Sequence, residues 1–232
     1  YYDDQLKRLW IGTGSAGLFY YDIIRKSLSD IPIRNFPKQP ILAIRKDAKN
    51  TLLIGIDGQG IWNISEKGDT ILHIYKEDLN NPFSLRGDGV YDILCDGSKN
   101  GIATFTGKLS FFENNNSQIT PVTYQINNPN SLGNNYVNQI IEDHEGHIWF
   151  ATNNGVSRWD ATSNKWKHYY QNKSEQAKVF LSLCEDNQGH IWAGSYSSGI
   201  YLLDRETGKT LKHYSSKTNT PGFTGDFIFD FF

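Results

Sequence analysis

The feature that most constrains the fold is a short two-strand unit that recurs along the chain. Its clearest copy is the stretch IWFATNNGVSRWD, residues 148–160. Two short runs, 148–151 and 156–159, alternate side chains between two faces, which is the period of β-strands and not of a helix. Asn153-Asn154-Gly155 separates them and is a turn signal. Each copy therefore predicts one β-hairpin.

Four further copies follow at nearly constant spacing. Trp149 and Trp192 lie 43 residues apart, as do Trp10 and Leu53, while the weakest copy places Ile102 at the tryptophan position, with steps of 49 and 47 around it. A period of roughly 40–50 residues made only of strands predicts an all-β fold, a β-propeller with one four-stranded blade per repeat. The predicted blades are about 1–36, 41–75, 90–124, 137–170 and 179–214, with 227–232 as the first strand of a further blade.

Composition narrows the class of protein. With Lys+Arg 23 against Asp+Glu 25 and a net charge of −2, no basic surface favours nucleic acid, so no nucleic-acid partner is expected. No apolar run reaches the ~18–20 residues of a membrane span, and no signal peptide opens the sequence, so membrane contact by this segment is not expected. The absence of Met predicts a segment of something longer.

Two arrangements of the five repeats are open. Residues 227–232 could replace the stub at Tyr1-Tyr2 and close a five-bladed ring. We favour a larger, seven-bladed propeller, because an open array of five would leave exposed sheet edges and uncapped terminal repeats. In either case the first and most apolar strand of each blade is expected to lie innermost.

The turn after each first strand starts with an aspartate. Asp47, Asp96, Asp143 and Asp186 each precede a polar or Gly-containing turn, and Asp4 is aligned with Asp143 in the first blade. A tight hairpin capped by Asp, with Gly or Asn at positive φ, explains these residues better than a calcium loop, whose alternating ligands are missing. His147 and His190 are interpreted as strand-start residues and not as zinc ligands, so no metal or other cofactor is expected.

Tryptophan and cysteine receive structural interpretations. Trp10, Trp149 and Trp192 recur in register, which favours packing between blades over ligand stacking. Cys95 and Cys184 fall in blades that are not adjacent, so we expect two buried small side chains and no disulfide. In the third blade, Ala103-Thr104-Phe105 and Gly107-Lys108 depart from the repeat, which predicts an irregular hairpin.

The connection from one blade to the next has its own signature. Asn81-Pro82-Phe83-Ser84-Leu85 and Asn128-Pro129-Asn130-Ser131-Leu132 precede the third and fourth blades, and Thr220-Pro221-Gly222-Phe223 precedes the final apolar run. Asn-Pro predicts a turn, after which Ser-Leu returns the chain to the axis.

Strand order predicts where a ligand binds. In every blade the loop between the second and third strands and the connection to the next blade leave the sheet on one side, and this side is rich in amide, hydroxyl, carboxylate and aromatic groups. Such a mixture suits an oligosaccharide, although ordinary solvated loops would look alike. The candidate binding residues are Asp57, Gln59, Arg86, Asp88, Asn134, Tyr136, Asn153, Asn154, Tyr196, Ser197 and Asp226.

The motif Asn-Pro-x-Ser-Leu, then Val-x-x-Ile-x-Glu-Asp-x-x-Gly-x-Ile-Trp-x-x-Thr-x-x-Gly-Val, then aromatic-Asp, in 128–160, resembles the two-component regulator propeller repeat. The resemblance is strong at 8–22, 137–160 and 180–204, weaker at 41–64 and poor at 90–113. It implies a periplasmic glycan sensor, the ectodomain of an inner-membrane hybrid two-component protein that controls polysaccharide-utilisation genes. The parent would add further blades, a β-sandwich, a membrane span, a histidine kinase, a receiver and a DNA-binding domain, and would act as a homodimer.

Two other functions stay open. A propeller lyase or hydrolase would need His and Glu side chains gathered on the binding side of the blades. The six His fall instead at the opposite turns (His144, His147, His190) or on outer strands (His73, His168, His213), so the segment itself is not expected to be an enzyme. The third possibility is a scaffold that serves only structure and dimerisation.

Overall fold

The structure, a computed structural model, describes residues 1–95, 99–104, 108–113, 118–171, 177–218 and 222–231. These residues form twenty β-strands and no α-helix. Parts of four sequence predictions lie outside them: the turn that starts at Asp96, Phe105 to Gly107 of the third blade, Thr220-Pro221, and the last residue of 227–232. In the described part of the chain, no helix has the length and apolar character needed to cross a membrane.

The strands form five four-stranded antiparallel sheets, each with its strands in chain order, and the all-β prediction of four-stranded blades is confirmed. The chain divides into two compact units, residues 1–121 and 122–232. The first unit holds blades 1 to 3, with strands β1 (Tyr2–Asp3), β2 (Arg8–Gly12), β3 (Leu18–Asp22), β4 (Ser27–Asp30), β5 (Ile41–Lys46), β6 (Leu52–Ile56), β7 (Gly60–Ile64), β8 (Ile71–Tyr75), β9 (Val90–Cys95), β10 (Lys99–Thr104), β11 (Lys108–Glu113) and β12 (Ile119–Val122).

The second unit holds blades 4 and 5. Their strands are β13 (Val137–Glu142), β14 (Ile148–Thr152), β15 (Gly155–Asp160), β16 (Lys165–Tyr169), β17 (Phe180–Glu185), β18 (Ile191–Ser195), β19 (Ile200–Leu203) and β20 (Thr210–Tyr214). In each blade we call the four strands a to d in chain order. Strands a pack against each other between blades 2 and 3, as β5 on β9, and between blades 4 and 5, as β13 on β17.

Hydrophobic cores lie between neighbouring blades. Trp10 with Ile31, Ile54 and other apolar residues joins blades 1 and 2, and Trp149 with Phe180, Tyr201 and others joins blades 4 and 5. Trp10 and Trp149 are 1% and 0% exposed, which confirms the packing role predicted for them. Burying such a ring stabilises a domain by roughly 2–3 kcal/mol. Trp192 is only half-buried and stacks on Tyr214.

The a–b turns are capped as predicted. Asp143 Oδ1 accepts hydrogen bonds from the N–H groups of Glu145 (3.0 Å) and His147 (2.8 Å), and Asp47 and Asp186 make the equivalent pairs. Gly146, Gly189 and Asn50 take the positive φ that these turns require. The first blade needs a correction: Asp3, and not Asp4, occupies the buried capping position, because its turn is one residue longer.

Two other expectations are wrong in detail. In the third blade, β10 and β11 pair without a register shift from Lys99–Glu113 to Thr104–Lys108, so the described part of that hairpin is regular. The irregularity lies between β9 and β10, at Ala103/Thr104. Cys95 and Cys184 are half-buried and not fully buried, because both lie near the end of strand a, where the strand leaves the core.

Strand a begins with a bulge in three blades. The register shifts between Ile41 and Ala43, between Val137 and Gln139, and between Phe180 and Ser182. The extra residue of a bulge leaves the ladder, and its side chain is redirected. In blade 4 this residue is Asn138, so the bulge turns an amide toward the loops at that end of the sheet.

The connections before blades 3 and 4, residues 78–88 and 125–135, share a pattern of hydrogen bonds, and we call them the first and second straps. The hydroxyl of Ser84 accepts the Asp78 N–H, and that of Ser131 accepts the Gln125 N–H, at 3.0 and 3.1 Å. Leu85 and Leu132 are fully buried. Each strap also reaches the outermost strand of the following blade: Phe83 O accepts the Ile119 N–H (3.0 Å), and Asn130 Oδ1 accepts the Trp166 N–H (3.1 Å).

Candidate functional site

The loops predicted to share one side of the sheet are joined by hydrogen bonds. The first residue of each b–c turn donates its N–H to the carbonyl just before strand a of the same blade: Asp57 to Pro40 (2.9 Å), Asn153 to Tyr136 (3.0 Å) and Tyr196 to Val179 (3.0 Å). Within blades 2, 4 and 5, the b–c turn and the connection into strand a therefore form one continuous surface. We call this surface the rim of the blade.

A second set of bonds ties the b–c turn to the connection that leaves the blade. Gly60, Gly155 and Gly199 donate their N–H groups to the carbonyls of Asp88 (2.8 Å), Lys178 (2.6 Å) and Asp226 (2.9 Å). Gly155 has φ +87°, and a Cβ there would lie 2.2 Å from Tyr169 O. Only glycine fits such a position, so the rim backbone is held rigidly before any ligand arrives.

The candidate residues of the first unit are partly engaged within the protein. Gln59 Oε1 accepts from Lys76 Nζ at 3.1 Å, Arg86 donates to Pro82 O at 2.6 Å, and Asp88 Oδ1 accepts the Glu77 N–H at 2.6 Å. The Asp57 side chain is exposed, and burial together with the Asp57 charge raises the pKa of Tyr91. In the first unit, the strap therefore brings Asp88 and the Gln59 turn together.

In the second unit, three candidates of blade 4 are adjacent. Asn134 Oδ1 accepts the Tyr136 N–H at 2.8 Å, and Tyr136 O accepts the Asn153 N–H. The Tyr136 ring is 51% exposed. Asn154 donates its N–H to Thr152 Oγ1 at 3.1 Å, which fixes the turn. Blade 4 therefore presents a tyrosine ring and two amide side chains on one rim.

The Asp226 side chain is hydrogen-bonded to a residue of the protein itself. Its carboxylate accepts from the Ser216 N–H (2.7 Å) and the Ser216 hydroxyl (2.6 Å), and these bonds from Ser216 lower the pKa of Asp226. In the same way, Asp88 Oδ1 accepts the Glu77 N–H, and Asn135 Oδ1 accepts the Tyr124 N–H at 2.7 Å. The repeated role therefore belongs to Asn135 in the second strap, whereas the candidate residue there was its neighbour Asn134.

The candidate residue Tyr196 of blade 5 lies beside Phe227 and Phe229, which the sequence assigned to the first strand of a further blade and not to the site; in the structure, residues 227–231 form no strand. The Tyr196 ring meets Phe227 edge-on at 4.8 Å, and Phe227 meets Phe229 at 4.4 Å. They are 55%, 42% and 72% exposed, respectively. Ile228, between them, donates its N–H to Ser195 O. Ser197 is exposed beside Tyr196. The alternation Phe-Ile-Phe was the signal that residues 227 and 229 share a face.

Amide side chains connect the two blades. Asn138, the bulged residue of β13, donates to Asn153 Oδ1 (3.0 Å) and to Phe180 O (2.7 Å). Gln139 accepts the Leu183 N–H and donates to Asp230 at 3.3 Å. Phe180 directly follows Val179, whose carbonyl accepts the Tyr196 N–H. In the second unit, Asn153 and Tyr196 therefore lie on one hydrogen-bonded surface.

The histidines near carboxylates lie at the a–b turns, at the other end of the strands. His144 Nδ1 is 2.5 Å from Glu185 Oε1, and His147 Nδ1 is 3.1 Å from Asp143 Oδ2. Arg158 lies 3.1 Å from His147 Nε2 and 3.2 Å from Glu206 Oε1, and Arg205 contacts His144 and Glu145. The arrangement is an ion-pair network between blades 4 and 5. Among the described residues, no group of three His, Cys, Asp or Glu is placed to hold a metal.

Comparisons with known proteins agree with this architecture. Residues 131–154 and 174–197 match the family model described as two component regulator propeller. The extracellular domain of BT3049 from B. thetaiotaomicron, assigned to the hybrid two-component systems, matches over 93% of this chain and 28% of its own, with 17% identity and a TM-score of 0.71. The chain thus spans little more than a quarter of that domain.

The computationally designed protein Ika8 matches over 97% of this chain and 61% of its own, with 11% identity and a TM-score of 0.64. No curated protein sequence matches the chain. At these identities the structural matches establish the fold, and the family model identifies the repeat. Two segments of the chain, residues 131–154 and 174–197, are therefore similar to the two-component regulator propeller repeat, and they lie in blades 4 and 5.

Proposed function

We propose that the chain is part of the extracytoplasmic sensor of a hybrid two-component protein and that it recognises a glycan fragment through the rim of blades 4 and 5. In this proposal the ligand controls transcription through a histidine kinase in the parent chain, which lies in the inner membrane with this segment in the periplasm. Further blades, a β-sandwich and a second copy of the sensor are its partners. The segment supplies recognition and no chemistry.

The observation that carries the proposal is the pairing of exposed aromatic rings with amides on one rim. Tyr136 and Tyr196, which lie on the rim of blades 4 and 5, are 51% and 55% exposed. Sugar rings have C–H faces that pack on aromatic rings and hydroxyls that need paired donors and acceptors, which the Asn138–Asn153 pair supplies. Both matched repeat segments end in the b–c turns of this rim.

Charge on this rim favours a neutral ligand. The Asp226 carboxylate already accepts two hydrogen bonds from Ser216, and Asp230 is met by Gln139. The remaining candidates of blades 4 and 5 are amides, a hydroxyl and tyrosines. Hydrogen bonds from a neutral serine do not cancel the charge of the Asp226 carboxylate, so a strongly anionic ligand would lose its hydration beside a like charge, which costs several kcal/mol. A neutral oligosaccharide avoids that cost.

The test uses the complete ectodomain and a panel of neutral and acidic oligosaccharides, with binding measured by calorimetry. At least one neutral oligosaccharide should bind, and Tyr196→Ala should weaken it about tenfold or more, since one lost stacking contact is worth ~1.4 kcal/mol. Leu79→Ala is the matched control, because Leu79 is 86% exposed in the first unit and is not a candidate binding residue. Absence of binding across the panel, or equal binding by Tyr196→Ala, contradicts the proposal.

A further inference from the structure

The second strap lines an open cavity of about 280 Å³. Its walls come from Tyr124 just before the strap, from the strap itself and from residues at and after the end of β16 in blade 4. The lining residues are Tyr124, Gln125, Asn127, Asn128, Pro129, Leu132, Gly133, His168 and Gln171. A cavity of this size admits one small ring and not a drug-sized molecule.

The cavity depends on glycine at position 133. In the first strap the equivalent residue is Arg86, whose guanidinium donates to Pro82 O at 2.6 Å. In the second strap the equivalent carbonyl, Pro129 O, lies 3.1 Å from His168 Nε2 instead. A Cβ at Gly133 would lie 2.3 Å from Gln171 Nε2 and 2.9 Å from His168 Nδ1. The first strap places the Arg86 side chain at this carbonyl. The second strap has glycine at the equivalent position, which leaves room for the His168 and Gln171 side chains of blade 4.

The hydrogen bonds around His168 fix its protonation. Nε2–H donates to Pro129 O, so Nδ1 accepts from the Ser157 hydroxyl at 3.1 Å, and Ser157 Oγ accepts the Gly133 N–H at 3.3 Å. Burial lowers the pKa of His168, although bonds to backbone carbonyls oppose the shift. The imidazole is therefore neutral at pH 7, and none of the lining residues is Asp, Glu, Lys or Arg.

The side-chain amides of Gln125 and Gln171 each have one atom hydrogen-bonded within the protein. Gln125 Oε1 accepts from Asn128 Nδ2 at 2.7 Å, and Gln171 Nε2 donates to Gly133 O at 3.2 Å. Among the described residues, neither Gln125 Nε2 nor Gln171 Oε1 has a hydrogen-bond partner, which leaves one donor and one acceptor for a ligand. The Tyr124 ring beside them is 45% exposed.

We propose that this cavity binds one neutral sugar ring. Tyr124 packs on its C–H face, and Gln125 and Gln171 pair with its hydroxyls. The choice of a sugar as ligand rests on the proposed glycan recognition, whereas the site is new and separate from the rim residues of blade 5. The cavity beside the first strap, about 250 Å³, is lined by Lys76, Glu77 and Asp78 among others. Because these side chains are charged, this cavity is less suited to a neutral sugar ring.

The experiment titrates the full chain with methyl glycosides of glucose, galactose, mannose, xylose and arabinose, with free glucuronate as the charged probe. NMR of the imidazole groups follows binding, because the chain has only 6 His. At least one neutral glycoside should shift the His168 signals saturably, and glucuronate should not. Tyr124→Ala and Gln171→Ala should each weaken this binding about tenfold, whereas Phe83→Ala, in the first strap, should leave it unchanged.

Failure of this inference can be told apart from failure of the proposed function. Tyr196→Ala should leave the His168 shifts intact while it weakens oligosaccharide binding. If no glycoside shifts His168, or if the shifts persist in both Tyr124→Ala and Gln171→Ala, the strap site is wrong even where the rim binds oligosaccharide. Tyr124 is exposed, so its variant should keep the native melting temperature, and a loss of binding then reports the site and not the fold.

Discussion

Asp143 accepts a hydrogen bond from the indole of Trp149, with 2.8 Å between Oδ2 and Nε1. The same carboxylate caps the a–b turn through Oδ1, so one side chain holds both the hairpin and the ring that packs between blades. Asp186 and Trp192 repeat the pair at 2.9 Å. Capping and packing between blades are therefore coupled through one residue in each of these repeats.

Replacing Asp143 should be costly. Asp143→Ala leaves the buried Trp149 N–H and two backbone N–H groups without this acceptor, and each such loss costs ~1–3 kcal/mol, so we expect a loss of about 3 kcal/mol in the free energy of unfolding. Asp186→Ala is the matched control, because its carboxylate is 28% exposed against 0% for Asp143 and water can replace it. Urea denaturation measures both, and equal losses would show that burial of the carboxylate does not set the cost.

The same carboxylates predict a pH dependence of stability. Burial opposes ionisation of Asp186, yet hydrogen bonds from Trp192 and from the His190 and Gln188 N–H groups lower its pKa to about 2. Burial likewise opposes ionisation of Asp143, and bonds from Trp149 and the His147 N–H lower its pKa.

Since the folded-state pKa lies below the unfolded value, these groups stabilise the fold above about pH 4, and the stabilisation is lost as the pH falls toward about 2. Melting temperatures from pH 7 to 2 should stay level to about pH 5 and then fall. Asp186→Asn should flatten part of the fall. A profile unchanged by that substitution would rule out this cause.

Glycine at the start of strand c should resist substitution. Gly155→Ala places a Cβ 2.2 Å from Tyr169 O at φ +87°, so strand β15 or β16 must move, and we expect a loss of roughly 2–3 kcal/mol or more. Gly58→Ala also has positive φ, +65°, but meets nothing within 4 Å, so it should cost only ~1 kcal/mol. Denaturation midpoints separate the contact from the backbone effect.

The ion-pair network between blades 4 and 5 should depend on its buried member. The Arg158 side chain is 8% exposed and reaches Glu206, His147 and the Arg205 carbonyl. Arg158→Ala should cost about 2 kcal/mol, because it removes a hydrogen bond from a charged donor to the Arg205 carbonyl and the contact of the side chain with the Trp149 ring. Lys167→Ala removes the 3.5 Å pair with Glu206, which is about half exposed on both sides, and should change stability by less than ~0.5 kcal/mol. Similar effects for the two variants would show that burial is not decisive.

The strands, the turns and the tryptophan packing could be predicted because their causes are local. Alternation, Gly or Asn at positive φ, and Asp before the turn act within a few residues. The Asp–Trp bond escaped prediction because it depends on which atoms face each other across the paired hairpin. The offset of Asp3 had the same origin: spacing from Trp10 could not reveal that one extra residue lies in the first turn.

The candidate site was predictable only as a side of the blade. Loop positions follow from strand order, so the neighbourhood of Asn153 and Tyr136 could be anticipated. Whether a side chain is available depends on its partners, and the backbone bonds of Asp88 and Asp226 come from strand ends ten or eleven residues away. The strap cavity depends on contacts between Gly133, His168 and Gln171, which no pattern within one repeat specifies.

The straps have a consequence for how such arrays grow. Phe83 and Asn130 each accept a hydrogen bond from the outermost strand of the blade that follows them in the chain, so in blades 3 and 4 part of the open edge is paired by the linker upstream. If a repeat were duplicated or transplanted without its upstream linker, from strand a to strand d only, the backbone groups of its outermost strand would be unpaired and could pair with another chain. The exchangeable module therefore begins at the Asn-Pro linker and ends with strand d.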